Sequence, residues 1–214
     1  AVGKSACRRE TLALLLLLAV TAWVYSPVLR ASFVICDDVP LIAENSHVLP
    51  GVTRQTIAWA WSDGFLAPSS HFDYWQPVTV LSRLADIELF GLDASGHHLG
   101  NLLLHLGSVL LLYALLRPAR GSSWPGLLAA ALFALHPMNA DSVCWVIERK
   151  GVLSQFFALA TLCVWRRNLV SSHRGLYALA LATAALAMLS KPHTVVLPAL
   201  LLLVEIWPAG TLAV

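Results

Sequence analysis

Two adjacent carboxylates, Asp37 and Asp38, stand in the stretch Phe33-Val34-Ile35-Cys36-Asp37-Asp38, just past the first apolar run, Thr11 to Leu29. A carboxylate pair where a chain leaves a bilayer can take a proton from a hydroxyl. It can also hold a hard divalent cation such as Mg2+ or Mn2+ through its oxygens. A solvated turn is the plain alternative. A second group is cationic: Arg149, Lys150 and Lys191. Preplaced cations stabilise an oxyanion as it gains charge, so these three suit a phosphate. Between the two groups lies the polar stretch His136-Pro137-Met138-Asn139-Ala140-Asp141-Ser142, followed by Glu148. Polar backbone and ionisable groups near membrane depth are tolerated where they line a cavity, so 136–150 is a candidate cavity wall. An ordinary outside loop with a solvated Glu-Arg-Lys end is the competing reading.

The composition says what must position these groups. Of 214 residues, 58% are hydrophobic and 12% charged, and the mean hydropathy is +0.72. Soluble domains carry about 25% charge, so the chain is a polytopic membrane protein. The net charge of +2 is too small to argue for nucleic acid, and no RNA- or DNA-binding pattern is present. Cys7, Cys36, Cys144 and Cys163 form no CxxC pair and no zinc spacing. A Cys36–Cys144 disulfide is conceivable on an oxidising face, but buried free thiols are the stronger expectation. No HExxH, GxSxG or phosphate-cradling glycine loop occurs.

Apolar runs predict six membrane-embedded helices, at about 11–29, 98–116, 124–136, 151–165, 175–189 and 193–207. The third is short, at 1.5 Å per residue only about 20 Å against the roughly 30 Å of a bilayer core. Lys4, Arg8 and Arg9 before the first run fit an uncleaved anchor better than a signal peptide cut after Ala22, because the apolar stretch continues. The chain begins without Met and stops just after Trp207-Pro208, and it reads as a fragment. Residues 30–97 are too aromatic for a disordered loop. Two amphipathic interfacial helices are expected there, Val52 to Trp61 and 77–90, the latter opened by Pro77 and closed by Gly91. Val78, Leu81, Leu84 and Ala85 share a face of the second, with Arg83 and Asp86 away from it. A helix is also expected over Val143 to Lys150, with Asp141, Trp145 and Glu148 on one face. His105 reads as a satisfied buried histidine, His97 and His98 as interfacial, and Glu205 as an interface residue.

A cytoplasmic N-terminus puts Lys4/Arg8/Arg9, Arg117/Arg120 and Arg166/Arg167/Arg174 inside, as positively charged loops prefer. Asp37, Asp38, Glu44, Asp63, Asp73, Asp86, Glu88, Asp93, Asp141 and Glu148 then lie outside. Arg149-Lys150 and Lys191 break the pattern, and cations on that face call for an anionic partner.

These pieces together resemble a known family. They are the Asp37-Asp38 segment, Tyr74-Trp75-Gln76-Pro77-Val78-Thr79-Val80-Leu81-Ser82, and Phe90-Gly91-Leu92 through His97-His98-Leu99-Gly100-Asn101 to His105. Leu132-Phe133-Ala134-Leu135-His136-Pro137 then runs into Asp141-Ser142-Val143-Cys144-Trp145-Val146-Ile147-Glu148-Arg149-Lys150, and Ser190-Lys191-Pro192 leads to Trp207-Pro208. The combination resembles the N-terminal membrane region of TMTC-like proteins, transmembrane, tetratricopeptide-repeat O-mannosyltransferase relatives of the GT-C glycosyltransferase class. The chain departs from the family pattern at Asp141, Gly151, His193 and Glu205, where Glu, Asp, Met and Asp are usual.

The resemblance implies an all-α integral membrane fold, one GT-C-like helical bundle over 1–214 with residues 30–97 as an outer-face loop. It implies transfer of a sugar, plausibly mannose, from a polyprenyl-phosphate donor to a hydroxyl of a protein or glycan on the non-cytoplasmic side. Asp37 and Asp38 would be catalytic or metal-holding. His136, Asp141, Glu148, Arg149, Lys150, Lys191 and Trp75 would contact substrate. A bacterial inner membrane is the expected location, or the endoplasmic reticulum membrane in a eukaryote. The rival from another class is a non-catalytic transporter or assembly module that binds partners through the outer loop.

Overall fold

The computed structural model describes residues 2–62, 75–117 and 122–206, with side chains from residue 8 onward. Asp63, Asp73, Tyr74, the turn at 118–121 and Trp207 lie outside the described residues. All regular structure among the described residues is helical.

Leucine and alanine dominate α1 (Val2–Tyr25), both strong helix formers. It runs on into a 3-10 turn, Ser26–Arg30. After the loop holding Asp37 and Asp38, a π-helical turn (Val39–Ala43) and the short α2 (Arg54–Ala60) follow. Thr53 and Thr56 close the start of α2 as a reciprocal cap, each hydroxyl accepting the other's backbone N–H. Next comes α3 (Pro77–Phe90), with Pro77 where no N–H partner is needed and Gly91 at φ +57° ending it. Asp93 caps α4 (Ala94–Leu116) by accepting from Ser95 N–H at 3.1 Å. The remaining helices are α5 (Trp124–Leu135), α6 (Asn139–Cys144), α7 (Arg149–Ser171), α8 (Arg174–Ser190) and α9 (Leu197–Ile206). A 3-10 turn precedes α7 (Val146–Glu148) and another precedes α9 (Pro192–Val196).

Two segments are long and apolar enough to cross a membrane by themselves, Arg8–Arg30 and Ala94–Leu116, each of 23 residues. Trp124–Leu135, Arg174–Ser190 and Pro192–Ile206 are apolar but shorter. α7 matches α4 in length but carries charge at both ends. The chain is helical as expected, and among the described residues two helices are long and apolar enough to span alone while three more apolar helices are shorter.

Packing divides the molecule into layers. Leu17, Val109, Tyr113, Ala130 and Ala134 join α1, α4 and α5. Leu115, Leu162 and Leu197 join α4, α7 and α9. The outer segment has a core of its own: Ile42, Val48, Ala60, Val80 and Leu84 close over Val146 and Ile147. Residues 39–62 and 75–87 thus form a packed cap on the interrupted region between α6 and α7.

Three local expectations are corrected. In α3 the inward face carries Thr79, Val80, Arg83, Leu84, Asp86 and Ile87, while Val78, Leu81 and Ala85 are only half-buried. Arg83 and Asp86 turn inward because their partners are inside. The single helix expected over 143–150 is broken: α6 ends at Cys144, and Trp145 is extended at φ −103°, ψ 119°. His97 and His98, expected at an interface, are fully buried, and His105 is buried with Nε2 3.0 Å from the Ala134 carbonyl.

Candidate active site at the break before α7

Breaking a helix frees backbone groups, and away from water each needs a partner. Three side chains supply them here. Asn101 of α4 donates from Nδ2 to the Trp145 carbonyl at 3.0 Å. The Ile147 N–H donates to Asp38 Oδ1 at 2.8 Å. Arg83 of α3 donates from Nη2 to the Ile147 carbonyl at 2.8 Å. The other Asp38 oxygen accepts the Val34 N–H at 2.9 Å. Asp38 is fully buried. Burial pushes its carboxyl above the ordinary aspartate value, against the pull of the two N–H bonds, His98 and Arg83.

The two aspartates therefore differ. Asp38 clamps the first loop to the break, with each oxygen on a backbone N–H. Asp37, one residue earlier, is half-buried. Each Asp38 oxygen accepts one backbone N–H, which leaves one lone pair on each. Among the described residues no three His, Cys, Asp or Glu side chains gather as a metal-binding group.

Beyond the break the cations separate. Lys150 Nζ lies 3.0 Å from Glu148 Oε1 and Lys191 Nζ 3.2 Å from Oε2, one ammonium on each oxygen. Burial alone would raise the Glu148 carboxyl, but the two lysines outweigh it and hold it below the ordinary glutamate value. All three side chains remain partly open to solvent, Lys191 the most at 28%. Two cations thus meet on one carboxylate that is partly open to solvent.

Arg149 does not join them. It is buried, and Nη2 donates to Asp86 Oδ2 at 2.5 Å and to the His97 carbonyl at 2.8 Å. Nη1 donates to Ser82 Oγ at 2.9 Å, and Nε donates to Asn101 Oδ1. A Cβ at Gly100 would collide with this guanidinium, so only glycine lets it lie against α4. Burial raises the Asp86 carboxyl, against Arg149 and His97, whose Nδ1 is 3.5 Å away. Arg149 locks α3, α4 and α7 together, with four of its N–H donors engaged inside the protein.

The comparisons with known proteins meet this geometry. Residues 84–213, well over half the chain, match the family described as dolichyl-phosphate-mannose-protein mannosyltransferase. The chain belongs to that family. It is also similar to Protein O-mannosyl-transferase TMTC1 of Mus musculus, 31% identical over 149 residues, 68% of this chain and 16% of the relative. Tmtc1 of Drosophila melanogaster is 29% identical over 172 residues, 78% of this chain and 19% of the relative. Tmtc2 of the same fly is 33% identical over 150 residues, 68% and 16%. The chain thus spans less than a fifth of the length of these relatives. No solved structure matches. The TMTC-like resemblance holds. These relatives are animal proteins and give no support to a bacterial inner membrane.

The other candidates of this mannosyltransferase-family chain lie apart from the clamp. His136 is exposed and its Nδ1 accepts the Met138 N–H at 3.2 Å, shaping the turn after α5. Asp141 is exposed in the first turn of α6. Trp75 packs on α2, its indole N–H on the Ala60 carbonyl at 3.2 Å and its ring edge-on to Trp61. Cys36 and Cys144 are free thiols, not a disulfide. Sequence reasoning missed Arg83, Asp86 and Asn101, which hold the broken backbone and Arg149 in place. One signal was available: Arg83 and Asp86, three apart on a largely apolar helix, are the ionisable pattern that marks a functional interior in membrane proteins.

Proposed function

We propose that the chain is the membrane region of an O-mannosyltransferase that moves mannose from a polyprenyl-phosphate carrier to a hydroxyl, of protein serine or threonine, on the non-cytoplasmic face. A single GT-C-like domain over 1–214 would carry the site. The observation that carries the reading is the division of labour between the carboxylates. Asp38 is spent on the break that bears Glu148 and Lys150, while Asp37 beside it is free to act as a base.

In this reading the acceptor oxygen attacks C1 of the sugar from the face opposite the phosphate. Its proton passes to Asp37, the new C1–O bond forms as the old one breaks, and the electron pair leaves on the phosphate oxygen. The anomeric centre inverts. Lys150 and Lys191 meet the charge that builds on the leaving phosphate. Glu148 holds them together until the donor arrives. The membrane is that of the endoplasmic reticulum in a eukaryotic cell, with a bacterial inner membrane the alternative.

The test is transfer by the native membrane protein from polyprenyl-phosphate mannose to a serine/threonine peptide. Asp37→Asn is expected to abolish product while folded protein is retained, and EDTA to leave transfer in place. Full activity in Asp37→Asn would sink the assignment. Loss of activity in EDTA, restored by Mg2+ or Mn2+, would move Asp37 from base to metal ligand.

A further inference from the structure

The two lysines stand on separate turns, and one helix touches both turns. On α3, Thr79 Oγ1 donates to the Ser190 carbonyl at 2.9 Å, the residue immediately before Lys191. One turn later Arg83 donates to the Ile147 carbonyl, immediately before Glu148. A further turn brings Asp86 to Arg149, which sits between Glu148 and Lys150. Thr79, Arg83 and Ser190 are at most 1% exposed.

The carbonyls are not arbitrary ones. Ser190 ends α8, where the last carbonyls have no partner within the helix. Ile147 lies in the break. Both turns therefore present a free backbone acceptor, and α3 meets each with a side chain at i and i+4, which share a helix face. The spacing of one turn of α3 is thereby imposed on the two segments that carry the cations.

We infer that Thr79 and Arg83 are positioning residues that fix Lys150 and Lys191 at the separation needed to grip one phosphate together. The inference rests on the donor-phosphate reading of the lysines given above. It adds that donor affinity is set from α3, by residues that touch no substrate. Thr79 is the cleaner probe, because it carries no charge and its hydroxyl has a single long-range bond.

The experiment uses the native protein in nanodiscs, with polyprenyl-phosphate mannose as donor and a serine/threonine peptide as acceptor. Thr79→Val is expected to raise donor KM about tenfold, the scale of one buried hydrogen bond felt by two charged contacts. Acceptor KM should stay near wild type, and Thr79→Ser should restore donor KM. A merely structural role would instead lower the melting temperature and all kinetic parameters together, with no donor-specific effect. If Thr79→Val does not fold, Thr79→Ala makes the same comparison without the branched methyl. Lys191→Met separates the two failures. If it leaves donor KM unchanged, the donor reading falls and the inference with it. If it raises donor KM while folded Thr79→Val does not, the positioning inference alone is overturned.

Discussion

The α7–α8 hairpin and the outer junction of α3, α4 and α7 both bury polar groups, but they do so by opposite means. In the hairpin, Ala180 and Ala187 let the helices close up, and Thr161 Oγ1 reaches Thr183 Oγ1 at 2.9 Å. Each of these threonines also bonds a carbonyl four residues back in its own helix. Small residues and self-satisfied hydroxyls are a general solution for helices in lipid. At the outer junction partners are distant in sequence: Asp38 and Ile147 are 109 residues apart, Thr79 and Ser190 111, Asp86 and Arg149 63. The hairpin could tolerate many sequences of the same texture. The junction depends on particular atoms, and the residues proposed for chemistry sit there.

The sharpest way to break this contrast is Arg149→Met. It strands Asp86 in a buried site and removes the bonds to Asn101, Ser82 and His97. Breaking a buried ion pair from one side costs about 3–5 kcal/mol, so a large fall in melting temperature is expected. Only a small change would mean that the junction is as forgiving as the hairpin. Asp38→Ala comes next. It orphans the Ile147 N–H, at about 1–3 kcal/mol, and frees the break to move, so transfer should be lost even with Asp37 intact. In the hairpin, Thr161→Val should cost less, about 0.5–1.5 kcal/mol, with kinetics unchanged. A donor-specific defect there would blur the distinction between the regions.

The smallest effect concerns pH. Glu148 is held below its ordinary value, so its contribution to stability is present above the range in which a free glutamate titrates. It is lost as pH falls through the lowered folded value. Glu148→Gln and wild type should therefore differ in melting temperature near neutrality and converge on acidification below that range. A gap that widens with acid would reverse the assigned sign.

What the sequence disclosed follows the same divide. Pro77 and Gly91 delimit α3 from local chemistry alone, and the shortness of α5 is visible in its apolar run. Those are properties of neighbouring residues. Apolar periodicity turns Arg83 and Asp86 outward, because it scores apolar faces and the hydrogen-bond partners of both lie more than sixty residues away; only their being ionisable on so apolar a helix points inward. The break at Trp145 was hidden for another reason: Asp141, Trp145 and Glu148 have helical spacing, and only the Asn101 and Asp38 bonds make a non-helical turn stable. Asp37 and Asp38 stand out as a pair from local sequence alone. Their different situations depend on Ile147, which no local pattern connects to them.

The lock around Arg149 also has a consequence for how the protein is made. Asn101 and His97 enter the membrane with α4, but Arg149 is 48 residues further along the chain from Asn101. While the ribosome adds that stretch, a polar face of a spanning helix must wait beside lipid or inside the insertion machinery. Release of α4 into the bilayer is thus expected to be delayed until α7 has emerged. A chaperone or translocon that shelters intramembrane polar residues is expected to speed the folding of this chain.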